Sequence, residues 1–174
     1  MSTSQQWWAE VKADAARFND WLVRQYRGEV TAAKRIESFR DAYARDAEPK
    51  RVLTLIAAQE ERHAAWVLDL LKARGIEPDA SGAEERYWRE ALPAVEDFET
   101  GAAVGAHAEE MRLARIRVIC NDEEAPADVR STFQRILKEE EFHARAFRKL
   151  AGSPAYFRTQ GAHERGMALL GLEP

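Results

Sequence analysis

The 174 residues include 26 Lys and Arg against 30 Asp and Glu, a net charge of −4, with 45% hydrophobic and 32% charged residues. That size suits a single domain over 1–174 able to bury its own core, and the acidic balance excludes an electrostatic nucleic-acid binder. The one cysteine, Cys120, excludes a disulfide framework or a cysteine-built metal site; the N-terminus lacks a signal-peptide pattern and no run nears the ~18 apolar residues of a transmembrane helix, so a cytoplasmic home is expected.

Helical periodicity and turn residues divide the chain. A short helix containing Trp7 and Trp8 precedes a first main helix from about Asn19 to Arg45, where Leu22, Tyr26, Glu29, Ala33, Ile36 and Tyr43 recur at helical spacing. A turn at 46–49 leads to a second helix from about Pro49 to Arg74, with Gly75 and Pro78 to end it. The stretch 75–100 holds a short helix opened by a capping box of Ser81 and Glu84 and ended near Pro93. The third helix spans about Thr100 to Cys120. A turn at 121–126 leads to the fourth, about Ala127 to Ala151, stopped by Gly152 and Pro154. The core bundle is thus about 19–151, and the extension 152–174 forms a further short helix or a cap. Short turns make each helix pair an antiparallel hairpin, and the long middle stretch serves as a crossover. The expected fold is an all-α four-helix bundle of two hairpins with short terminal helices.

An internal repeat carries the chemistry. Shifted by 80 residues, 26–71 and 106–151 are identical at ten of 46 positions. That number alone is weak, so the positions matter more. Each half has a Glu on its first helix and a Glu-x-x-His 31 residues later: Glu29 with Glu60 and His63, Glu109 with Glu140 and His143. Each pair of glutamates is centred near a turn, so its members sit at one height, mid-bundle. Glu and His three apart share a helix face. That face is otherwise apolar, with Leu53, Ile56, Ala64 and Val67 in one half and Phe133, Ile136, Ala144 and Phe147 in the other. Carboxylates there are costly unless something pairs with them. Two divalent cations would balance four carboxylates, and carboxylate with imidazole suits iron or manganese. The candidate ligands are Glu29, Glu60, His63, Glu109, Glu140 and His143. Repeat register selects Glu109 over its neighbour Glu110, whose face also carries His107, read as a surface or edge histidine. Glu61, Glu139 and Glu141 read as a solvated face, and Arg35 and Arg115 as surface residues or partners of outer carboxylates. Tyr26 reads as core packing and His163 as a tail residue. The tryptophans read as packing or subunit-contact residues, which keeps a homodimer open.

These residues resemble the ferritin-like superfamily of dimetal carboxylate proteins, particularly the rubrerythrin branch and the demethoxyubiquinone hydroxylases. The similarity covers about 19–151. The segment Arg27-Gly-Glu-Val-Thr-Ala-Ala-Lys-Arg-Ile36 looks like the Gly-Glu opening of the hydroxylase family, and the paired Glu-x-x-His motifs match in kind. The resemblance implies a ferritin-like bundle and the same six ligands. It implies two iron ions, with manganese possible, and an oxidoreductase of hydroxylase, oxidase or peroxidase type acting with dioxygen or peroxide. Classical rubrerythrins add a cysteine-bound iron domain and a further helix-three glutamate. This sequence has one cysteine and places Ala106 at that position, which weighs against the peroxidase type and points to an external electron donor. Iron handling by a ferroxidase and a non-catalytic helical scaffold are the competing readings.

Overall fold

The structure is a computed structural model that describes residues 3–79 and 86–172. The capping box expected at Ser81 and Glu84 lies outside the described residues. Six α-helices and one 3-10 turn make up the described chain, which contains no strand. None of these helices is long and apolar enough to cross a membrane.

Helix α1 (Ser4–Lys12) begins in a capping box between Thr3 and Gln6. The Asp14 side chain then accepts from the Arg17 N–H and starts α2 (Ala15–Tyr43), four residues earlier than sequence signals placed it. Helix α3 (Ala47–Lys72) takes Pro49 in its first turn, where a missing N–H costs nothing. Gly75, at φ 68°, ends it. The Ile76 N–H reaches the Leu71 carbonyl at 3.0 Å and the Gly75 N–H reaches that of Lys72 at 3.0 Å, a Schellman closure. The crossover contains α4 (Arg86–Ala91) and the 3-10 turn Leu92–Ala94. Asp97 and Thr100 cap α5 (Phe98–Asn121) reciprocally. Helix α6 (Ala127–Leu169) contains a break at Gly152, φ 67°. The first arm therefore stops where expected, and a second arm continues from there.

Helix α2 packs along α3, α5 packs along α6, and α3 meets α6 between the hairpins. This is the ferritin-like arrangement. Two apolar clusters fill the bundle. One gathers Trp8, Trp21, Leu22, Leu71, Ile116 and Phe133, the other Ile36, Leu53, Ile56, Ala102, Phe147 and Ala151. On every main helix the candidate ligands fall between these clusters. Burial of apolar side chains at ~1.5–3 kcal/mol each fixes the helices on both sides of a polar layer. Helix α1 clips one end: Trp8 Nε1 donates to Asp122 Oδ2 at 2.7 Å, and Lys12 Nζ pairs with the same carboxylate at 2.5 Å.

The second arm of α6 is anchored rather than a loose tail. His163 Nδ1 meets the Tyr87 hydroxyl at 2.9 Å, and its ring stacks on His107 at 4.6 Å. His107 Nε2 lies 3.1 Å from both the Tyr156 carbonyl oxygen and Thr159 Oγ1. His107 is 1% exposed, which corrects its reading as a surface histidine, and His163 is likewise no tail residue. The cause is the break at Gly152, which folds the second arm back over α5 and α4 and supplies partners that helical periodicity could not show.

Candidate metal centre

The six residues picked from the repeat converge in one buried layer. Glu29, His63, Glu140 and His143 are each 0% exposed, Glu60 1% and Glu109 8%. They form two overlapping nests whose potential ligand atoms lie within 4.8 Å of one another. One contains Glu29, Glu60, His63 and Glu140; the other Glu60, Glu109, Glu140 and His143. Glu60 and Glu140 belong to both, whereas Glu29 and Glu109 each serve one. The Glu110 side chain turns away and accepts a hydrogen bond from the Tyr156 hydroxyl.

Both imidazoles aim Nδ1 inward. His63 Nδ1 lies 3.4 Å from Glu140, 3.5 Å from Glu60 and 3.8 Å from Glu29. His143 Nδ1 lies 3.3 Å from Glu60, 3.4 Å from Glu140 and 3.9 Å from Glu109. Their outer nitrogens are held by two residues that the sequence did not mark as part of the site. His143 Nε2 meets Gln59 Oε1 at 3.0 Å, and His63 Nε2 meets Glu139 Oε2 at 2.9 Å. Each partner comes from the other hairpin and directly precedes a ligand glutamate. An Nε2–H donor toward an oxygen leaves the Nδ1 lone pair facing the nest. Glu139, read as part of a solvated face, is therefore half-buried and bound to His63, with Arg62 on its second oxygen at 2.7 Å. Gln59 and Glu139 are counterparts in the repeat, and that correspondence was the signal available for finding them.

Arg112 also enters the layer. Its guanidinium pairs with Glu29 from across the bundle and reaches Glu140 at 2.9 Å. It sits three residues after Glu109 on the same face. Its repeat counterpart is Ala32, so repeat matching passes over it. Arg35 and Arg115 also depart from the surface reading: each guanidinium covers a tryptophan, Trp88 at 3.7 Å and Trp7 at 4.7 Å.

Electrostatics follow from this crowding. Burial disfavours the His63 cation, but Glu140 and Glu60 outweigh it and push the imidazole up to about 10. His143 is raised by the same balance. Burial, then the charges of Glu140 and Glu60, hold Glu109 well above the ordinary carboxyl range. Burial acts in that direction on Glu140 too, but Arg112 and both histidines bring it well below.

The donor set fits metal on a direct structural criterion. Glu29 Oε2, Glu60 Oε2, Glu140 Oε2, His63 Nδ1 and His143 Nδ1 are buried without a hydrogen-bond partner, and Glu140 Oε1 has only its ion pair with Arg112. Orphaned buried polar groups each cost ~1–3 kcal/mol, so such atoms in one place call for a common partner. Oxygen and imidazole donors without sulfur suit iron or manganese. A groove of about 520 Å³ between α2 and α5 reaches this layer, with Glu60, Glu109 and Arg112 among its lining residues.

Comparison with curated proteins and with solved structures returns no match. The family model for rubrerythrin matches residues 20–151, the span that carries every residue of the two nests. The chain belongs to the rubrerythrin family of ferritin-like dimetal carboxylate proteins.

Proposed function

We propose that the cluster is a di-iron centre and that the protein is an oxidoreductase acting with dioxygen or peroxide. The residues that would hold the iron pair are Glu29, Glu60, His63, Glu109, Glu140 and His143, of which Glu60 and Glu140 belong to both nests. The observation that carries this reading is the set of orphaned inward-facing oxygen and imidazole atoms in two overlapping nests. When bound, an iron pair supplies electrons in pairs to a small oxidant.

The chain's own residues prepare that chemistry. Gln59 and Glu139 fix ring orientation and keep the proton on the outer nitrogen of each histidine. Arg112 returns one positive charge to four buried carboxylates and holds Glu29 and Glu140 in place. The apolar clusters on both sides exclude bulk water. The groove between α2 and α5 gives access to Glu60 and Glu109 from one side.

Stopped-flow mixing of anaerobic ferrous protein with dioxygen or peroxide tests this. Rapid oxidation that ends at about two irons per chain is expected of a dimetal catalytic centre. Continued uptake of many more irons would make the protein an iron-handling ferroxidase. Absence of reaction with either oxidant would overturn the oxidoreductase reading.

A further inference from the structure

The groove between α2 and α5 is lined mostly by apolar and small residues, among them Ala32, Ile36, Val104, Ala108, Ile116 and Phe147. Its volume of about 520 Å³ falls in the ~300–1,000 Å³ range of small-molecule sites. An oxidant of two atoms needs no such space. Helices α2 and α5 run antiparallel along it: Phe39 lies against Gly101 near one end, and Arg115 lines the other portion. The Glu60 and Glu109 carboxylates lie between them.

Arg115 supplies the polar anchor. It lines the groove, and its Nε is buried without a hydrogen-bond partner. Among the described residues it has no carboxylate partner, unlike Arg112, which is committed to Glu29 and Glu140. Trp7 covers the guanidinium at 4.7 Å from the ring centroid. A guanidinium held against an aromatic ring keeps donors at its edge, the geometry that suits a carboxylate. Arg115 lies six residues, about 1.7 helical turns and about 9 Å along the axis, beyond Glu109.

From this groove and its anchor we infer that the protein binds an aliphatic monocarboxylate, its carboxylate on Arg115 and its alkyl chain along the groove past Glu60 and Glu109. As a statement of what the centre acts on, this rests on the proposed function above; as a statement of binding, it holds without metal. The apolar lining accounts for the chain, and the uncommitted arginine accounts for the single negative charge.

Calorimetric titration of the metal-free full chain with octanoate and with octanol tests the inference. Saturable binding of one octanoate per chain is expected, with octanol weaker by about ten-fold or more, the usual size of a hydrogen bond to a charged group. Arg115→Gln is expected to weaken octanoate by a similar factor and bring the two ligands level. Ala32→Trp, which fills the groove, is expected to remove both. Absence of saturable octanoate binding, equal affinity for octanol, or an unchanged affinity in the Arg115 variant would each overturn it. The comparison of the two ligands on the unaltered chain stands even if a variant fails to fold. Octanoate binding in a protein that takes up no ferrous iron supports the groove while removing the dimetal centre. Iron binding without octanoate binding keeps the centre and removes the groove ligand.

Discussion

The two hairpins offer the same three-residue donor set, six residues in all, yet their surroundings differ. In the first, Glu29, Glu60 and His63 stand with Ala32 one turn after the lone glutamate; in the second, Glu109, Glu140 and His143 stand with Arg112 at that position. His143 rests on a neutral amide, Gln59, whereas His63 rests on a carboxylate, Glu139. A carboxylate behind an imidazole raises its basicity as a ligand. The six duplicated donors face inward; the diverged Gln59 and Glu139 stand behind the histidines, and Arg112 enters the layer from the second hairpin alone. Near-symmetric donors thus build two unequal nests.

The largest expected effect tests the shared carboxylates. Glu140→Ala removes a donor common to both nests and is expected to abolish binding of both ions, whereas Glu109→Ala is expected to leave about one of two per chain. Metal analysis after anaerobic loading reads the difference. Glu110→Ala is expected to retain the full load, because Glu110 faces Tyr156. Loss of metal in that variant, with retention in Glu109→Ala, would shift the helix register by one.

The next effect concerns the second layer. Glu139→Gln would make both histidine partners neutral amides. Affinity in the His63 nest is expected to fall by about 10–100-fold while the other nest changes little. A manganous titration followed by calorimetry would resolve the two steps; equal weakening of both would erase the proposed asymmetry.

A pH effect follows from the raised histidine. In metal-free protein the His63 imidazole is lifted from 6.5 to about 10, so the folded state holds its proton more tightly than the unfolded chain. That stabilisation is fully present below 6.5 and is lost as pH rises from there through about 10. The melting temperature of metal-free protein is expected to carry a falling component across this window, reduced in a His63→Gln variant, where the raised His143 still contributes. Metal uptake displaces the same protons and is expected to tighten with pH.

The smallest effect is a control inside the repeat. Glu61 and Glu141 match across the halves just as Glu60 and Glu140 do, but Glu61 is exposed and Glu141 only touches Arg117 at 3.2 Å. Changing either to Gln is expected to move stability by no more than ~0.5 kcal/mol and leave metal content unchanged.

The bundle was legible because turn residues such as Gly75 and Pro49 separate long periodic segments. The two nests were legible because burying a Glu-x-x-His in an apolar stripe twice, at equal spacing, has few other uses. Arg112 was not legible: repeat matching highlights what is shared, and Ala32 stands opposite it. Glu139 hid among three consecutive glutamates, and only the cross-hairpin contact with His63 singles it out. His107 was misread because its partners Tyr156 and Thr159 come from the arm beyond Gly152, and His163 because that arm carries it onto Tyr87 and His107; the arm's direction depends on one backbone break.

Whether metal holds the buried layer together is open to direct test. The most direct measurement is an anaerobic ferrous titration of metal-stripped protein, followed by thermal unfolding with and without the ion. Saturation at about two ions per chain and a raised melting temperature are expected, since an ion bound only by the folded state stabilises it. A chain that takes up no ferrous or manganous ion and melts at an unchanged temperature would contradict it.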